Sequence, residues 1–190
     1  MRPVTAPSAK FTYEDFLNFP NDGKRHEIID GDHYVTPSPN TKHQRVATSL
    51  TVALGSYLRH DAIGEVFAAP FDVLLSDRDV VEPDLLYISR ERAGILTDKH
   101  VRGSPDLVVE ILSPGTRKTD EVTKRKLYER FDVQEYWVVD PELDTIKVYR
   151  RADGVFARAA ELTAEAGDIL TTPLLPEFSV SLADLFTMPL

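Results

Sequence analysis

Apolar positions along the chain follow two rhythms. Between residues 41 and 61, Val46, Leu50, Leu54, Tyr57 and Leu58 recur at helical spacing and predict an amphipathic helix. Elsewhere the pattern is that of strands. Residues 26–35 read as a hairpin turning at Asp30-Gly31, and runs at 66–75 and 81–88 are joined by the polar Ser76-Asp77-Arg78-Asp79. A further strand is predicted at 106–112, and two more at 135–139 and 145–149 meet at an Asp140-Pro141-Glu142 turn. Residues 120–132 contain no Gly or Pro and read as a second helix. Thr12 is placed to cap a short helix through Phe16 and Leu17. Residues 90–97 read as irregular or a short helix, residues 173–178 as a tail, and a last short helix falls near 182–186. Residues 1–10 are expected to be a disordered tail, and 11–190 a single domain. From residue 41 onward the order is α-β-β-β-α-β, with a small hairpin in front. Such an order packs as an α/β fold, a mixed central sheet flanked by helices. The connection from strand 106–112 through the helix to strand 135–139 should be a right-handed parallel crossover.

Three charges break this pattern. Lys124 shares a helical stripe with Leu127, Tyr128 and Phe131, the face that should be buried. Glu110 stands alone among Leu107, Val108, Val109, Ile111 and Leu112, pointing to the same side as Val108 and Leu112. Asp84 opens the run Leu85-Leu86-Tyr87-Ile88. A charge on a packed face is costly unless it meets a partner, and metal coordination is one remedy for a carboxylate. If the two strands are neighbours, both carboxylates can face one cation, and hard oxygen donors suit Mg²⁺ or Mn²⁺. Lys124 would then orient a water or stabilise a phosphate in flight. Each residue also has a plainer reading. Asp84 can simply start a strand, Glu110 can pair with a core arginine, and Asp120 with Lys124 forms a favourable i,i+4 pair.

Composition narrows the classes. The chain has 190 residues, no cysteine, and a formal net charge of −9. Thiolate chemistry, disulfides and Cys-ligated zinc are therefore excluded. No apolar run approaches a bilayer span and the N-terminus lacks the apolar core of a signal peptide, so a cytoplasmic protein with no membrane partner is expected. The acidic balance argues against coating nucleic acid by charge alone, but not against a nuclease whose carboxylates are neutralised by bound metal. Arg117, Lys118, Lys124, Arg125, Lys126 and Arg130 crowd one segment, either a solvated helix face or a phosphate-facing patch.

The segments carrying these residues resemble a known family. They are Arg25-His26-Glu27-Ile28-Ile29-Asp30-Gly31, His43-Gln44, Glu82-Pro83-Asp84-Leu85-Leu86-Tyr87-Ile88, residues 105–114 from Pro-Asp to Ser-Pro, and Tyr136-Trp137-Val138-Val139-Asp140-Pro141. Asp120, Lys124 and Tyr128 keep the matching spacing. Together they are similar to the Uma-two branch of the PD-(D/E)XK, or restriction-endonuclease-like, nucleases. The resemblance implies an αβββαβ core with an N-terminal β-hairpin addition, and catalytic Asp84, Glu110 and Lys124. It also implies Mg²⁺ or Mn²⁺ held by Asp84, Glu110 and the backbone carbonyl of Ile111. The superfamily lysine two residues after the glutamate is Leu112 here, and the branch carries its lysine on the next helix, at Lys124. Glu27 either joins the acidic cluster or lies exposed on the hairpin. His43 contacts phosphate or is merely solvated. The expected activity is cleavage of nucleic acid, with DNA as substrate and a homodimer supplying two sites for a double-strand cut. The competing readings are a catalytically idle binding module and an accessory factor of a mobile element or restriction system.

Overall fold

The computed structural model describes residues 9–36 and 38–187. Most of the expected tail lies outside them, but Lys10 is already tied to Asp32 by an ion pair of 2.7 Å. The first helix, α1 (Tyr13–Phe16), is closed by a capping box in which Thr12 and Asp15 exchange hydrogen bonds. Strands β1 (Arg25–Ile29) and β2 (Asp32–Thr36) form the expected hairpin. Asp30 and Gly31 both take positive φ, 52° and 75°, as a two-residue turn of this kind requires. Helix α2 (Thr41–His60) turns Val46, Leu50, Leu54 and Leu58 inward.

The two long apolar runs each divide. Residues 66–75 yield β3 (Gly64–Ala68) and β4 (Val73–Ser76), and 81–88 yields β5 (Asp79–Val81) and β6 (Leu85–Ser89). The breaks fall at Pro70 and Pro83, which have no N–H to donate to a ladder. Each run thus passes from one sheet to another. After a 3₁₀ turn (Arg90–Ile95) come β7 (Val101–Arg102) and β8 (Leu107–Ile111). The second long helix begins as a π-helical segment, Thr119–Lys124, and continues as α3 (Arg125–Arg130). Strands β9 (Glu135–Asp140) and β10 (Thr145–Ala152) follow, then β11 (Val155–Thr163), β12 (Ile169–Thr172) and β13 (Leu175–Ser181), and finally α4 (Leu182–Phe186). The sequence pattern did not predict the last three strands, and β13 occupies what read as a tail.

The central sheet has the order β11-β10-β9-β8-β6-β3, with β8 and β9 parallel and the other pairs antiparallel. A second sheet, β2-β1-β5-β4-β7, is built onto the N-terminal hairpin. Leu107, Val109, Ile111, Trp137 and Val139 face α2 and α4 from one side of the central sheet. Val108, Leu112, Tyr136 and Val138 face the other side, against Leu127, Tyr128 and the inner residues Ile29, Val73 and Val81 of the second sheet. Glu110 belongs to this second side by strand alternation, in the layer between the two sheets. No helix among the described residues is long and apolar enough to cross a membrane.

Candidate active site

Strands β6 and β8 pair antiparallel with Leu85 opposite Val109, so the next pair in register is Asp84 and Glu110. The two carboxylates therefore stand at the end of neighbouring strands in the middle of the central sheet. Ile111 follows Glu110 directly.

Asp84 is buried, and both of its oxygens are engaged. Oδ1 accepts from Arg25 Nη1 at 3.0 Å. Oδ2 accepts from the Ile111 backbone N–H at 2.7 Å and lies 3.2 Å from His43 Nε2. Burial alone would raise its pKa, but the hydrogen bond from His43, the Arg25 charge and the Ile111 N–H prevail and lower it to about 2. His43 is itself largely buried, with an edge on the cleft. Its Nδ1 has no hydrogen-bond partner among the described residues.

Glu110 is held from the helix side. Its Oε1 accepts from Lys124 Nζ at 3.0 Å and from Tyr128 Oη at 2.7 Å. Burial pushes its pKa up to about 8; Lys124 pulls the other way, while Asp120, Asp84 and Glu27 add to the rise. Lys124 is 3 % exposed, and its ammonium also meets Glu27 Oε1 at 2.8 Å and Asp120 Oδ1 at 3.8 Å. Burial disfavours that charge, but the carboxylates outweigh it and the pKa rises. Asp120 is pushed up to about 6, chiefly by burial.

Glu27 joins the acidic cluster: it is buried, and its Oε1 also accepts from the Glu82 N–H at 2.9 Å. The π-helical segment supplies Asp120 and Lys124 to the same interior, and its Asp120 carbonyl accepts from Tyr136 Oη at 3.0 Å. Wide π turns of this kind are frequent at functional sites. Arg25 was not singled out by the sequence, where a cation in a short hairpin strand carries no periodic signal. In the fold it bridges Asp84 and Glu82, with Nε 2.7 Å from Glu82 Oε1.

The site opens into a cleft of ≈ 380 Å³ that is lined in part by Arg25, His43, Asp84, Ile111, Thr116 and Asp120. A second hollow of ≈ 350 Å³, running along α2 past Gln44, Thr48 and Thr51, shares Arg25, Pro39, His43, Pro70, Glu82 and Asp84 with the first. Glu110 and Lys124 lie beneath the cleft rather than on its wall. Several cations of the basic segment are engaged within the fold. Arg117 pairs with Asp140, Arg130 with Asp30 and Asp79, and Arg125 lies over the Tyr149 ring.

A mixed sheet with helices to either side, presenting paired carboxylates from its neighbouring central strands, is the restriction-endonuclease-like fold. A solved structure described as a putative nuclease belonging to DUF820 from Anabaena variabilis shares this fold, with a TM-score of 0.78 and 23% sequence identity. The match covers 93% of this chain and 97% of that one. The chain belongs to the Uma2 family, described as putative restriction endonuclease, whose family model matches residues 13–183. A comparison with curated proteins finds no match.

Proposed function

We propose that this protein is a divalent-metal-dependent endonuclease that hydrolyses phosphodiester bonds in DNA. The observation that carries the reading is the register that sets Asp84 beside Glu110, with the buried Lys124 ammonium 3.0 Å from Glu110.

The donors fit a hard cation. Asp84, Glu110 and the Ile111 carbonyl are all oxygen ligands clustered at one strand end, the chemistry that Mg²⁺ and Mn²⁺ prefer. Among the described residues no hydrogen bond engages Glu110 Oε2, and no three acidic or His side chains already converge on one point. Two side chains and a carbonyl do not need such a triad. Among the described residues, five carboxylates (Glu27, Glu82, Asp84, Glu110 and Asp120) meet two permanent cations, Arg25 and Lys124, besides His43, so the site carries excess negative charge. A divalent cation held there by Asp84, Glu110 and the Ile111 carbonyl would offset that excess and supply Lewis-acid activation of water and phosphate.

The protein's own groups have separable tasks. His43 and the Ile111 N–H fix the orientation of Asp84. Tyr128 and Lys124 fix Glu110, and Lys124 supplies a permanent positive charge beneath the phosphate position. Glu27 and Asp120 keep that ammonium in place. The cleft along α2 gives the substrate strand its path past Asp84. Two copies of the chain, one per strand, would make a double-strand cut.

Plasmid DNA incubated with Mg²⁺ or Mn²⁺, beside an EDTA control, tests the reading. Nicking or linearisation is expected with wild type and is lost in Glu110→Gln. Failure of wild type to cleave any DNA or RNA with either metal would overturn it in favour of an idle binding module.

A further inference from the structure

Arg25 and Lys124 are the two cations of the site, and they are held differently. Lys124 is enclosed by Glu27, Glu110 and Asp120 and cannot leave without uncovering them. The Arg25 side chain is 17% exposed, stands where the two hollows meet, and lines both. Its fork spans Asp84 Oδ1 and Glu82 Oε1. The Glu82 side chain is also only half-buried on the cleft wall. A guanidinium presents five donors in a planar fork that suits phosphate as well as carboxylate.

The oxygen that Arg25 occupies matters. Asp84 Oδ2 already receives the Ile111 N–H and faces His43, so Oδ1 is the oxygen left for a metal ion. Arg25 sits on Oδ1. Two cations crowded onto one carboxylate oxygen repel each other, and Arg25 is the one with open space beside it, since it lines both hollows.

We propose that Arg25 is a placeholder cation: it competes with the divalent ion for Asp84 and, once displaced, is presented to the substrate phosphate in the cleft. This rests on the metal-dependent reading above and adds a regulation to it. Metal loading and phosphate engagement are coupled through one side chain. Because such coupling is reciprocal, whatever draws Arg25 off Asp84 tightens the metal.

Calorimetric titration of Mn²⁺ into the full chain compares wild type with Arg25→Met, which keeps the apolar stem and removes the charge. The variant is expected to bind Mn²⁺ about tenfold more tightly, within the roughly 5–150-fold usual for coupled sites. Equal or weaker binding by the variant, with wild type binding normally, overturns the placeholder role and leaves the metal reading standing. Binding by neither protein removes both. Should the variant not fold, nitrogen-resolved NMR of wild type titrated with Mg²⁺ gives the same decision. The Arg25 Nη resonances should be distinct without metal, because the fork is pinned, and should average once it is released. Persistently distinct signals at Mg²⁺ saturation would end the proposal.

Discussion

At the residue scale, the same ion pairs can serve structure or chemistry, and two substitutions separate the roles. Lys124→Met leaves Glu27 and Glu110 buried without their cation, which should cost about 3–5 kcal/mol of stability. Glu110→Gln keeps an acceptor for Lys124 and Tyr128 and removes repulsion from Asp84 and Asp120. Its stability should stay within about 1 kcal/mol of wild type while cleavage is lost. Denaturant melts of the two variants check this; a large loss in Glu110→Gln would mark the carboxylate as structural. The pH dependence has a definite sign. The folded-state pKa of Glu110 is raised from 4.5 to about 8, so the folded chain holds that proton more tightly than the unfolded chain. Its contribution is complete below about 4.5 and disappears as the pH rises through about 8. Metal-free wild type should therefore lose melting temperature from pH 5 to pH 8. Glu110→Gln should show a flatter profile, measured by calorimetry at each pH. Asp84, Glu110 and Lys124 were legible in the sequence because each is a charge where its element calls for an apolar residue. Arg25 and His43 were not, since the cleft that gives them meaning forms only when β1, α2 and β6 come together.

At the element scale, the π-helical segment decides whether Asp120 and Lys124 share one interior. Tyr136, the second residue of β9, donates to the Asp120 carbonyl, and Tyr136→Phe removes only that bond. The expected cost is about 1 kcal/mol, together with weaker Mn²⁺ binding as Asp120 and Lys124 lose their fixed positions. Unchanged Mn²⁺ affinity would show that the tyrosine hydroxyl serves stability alone. Other elements show where pattern reading stops. Helix α2 and the β1–β2 hairpin were readable because their periods and turn residues agree. The long apolar runs misled because one run of side chains feeds two sheets, although Pro70 and Pro83 already marked the breaks. Strand β11 carries three alanines, poor strand formers, and it forms because the Asp153-Gly154 turn, with φ of 51° and 84°, folds it back on β10.

At the scale of the whole molecule, a net charge of −9 and a cluster of buried carboxylates set the terms of the proposed encounter with DNA. Few unpaired cations line the cleft, so affinity should depend on the divalent ion. Binding of a fluorescent duplex is expected to be weak in EDTA and to rise with Ca²⁺, a hard cation of the same ligand preference. It should also show a shallow salt dependence, because few phosphates meet protein cations. Tight binding in EDTA would place recognition elsewhere on the surface. In the proposed double-strand cut two copies would act together, and sedimentation at micromolar concentration is expected to show a dimer.

The register between β6 and β8 has one more consequence. Arg25, Glu27 and Asp84 precede the exposed turn around Asp98, while Glu110, Asp120 and Lys124 follow it. A chain severed there divides the site between two inert halves, and the antiparallel ladder from β6 to β8 is the seam along which they would rejoin. The same arithmetic holds during synthesis: no portion of the chain emerging from the ribosome possesses the site before the helix bearing Lys124 has been made. Under the proposed function, a cutting activity built this way would not arise before that helix is in place. It can be switched in the laboratory by bringing two separately expressed fragments together, with plasmid nicking as the readout.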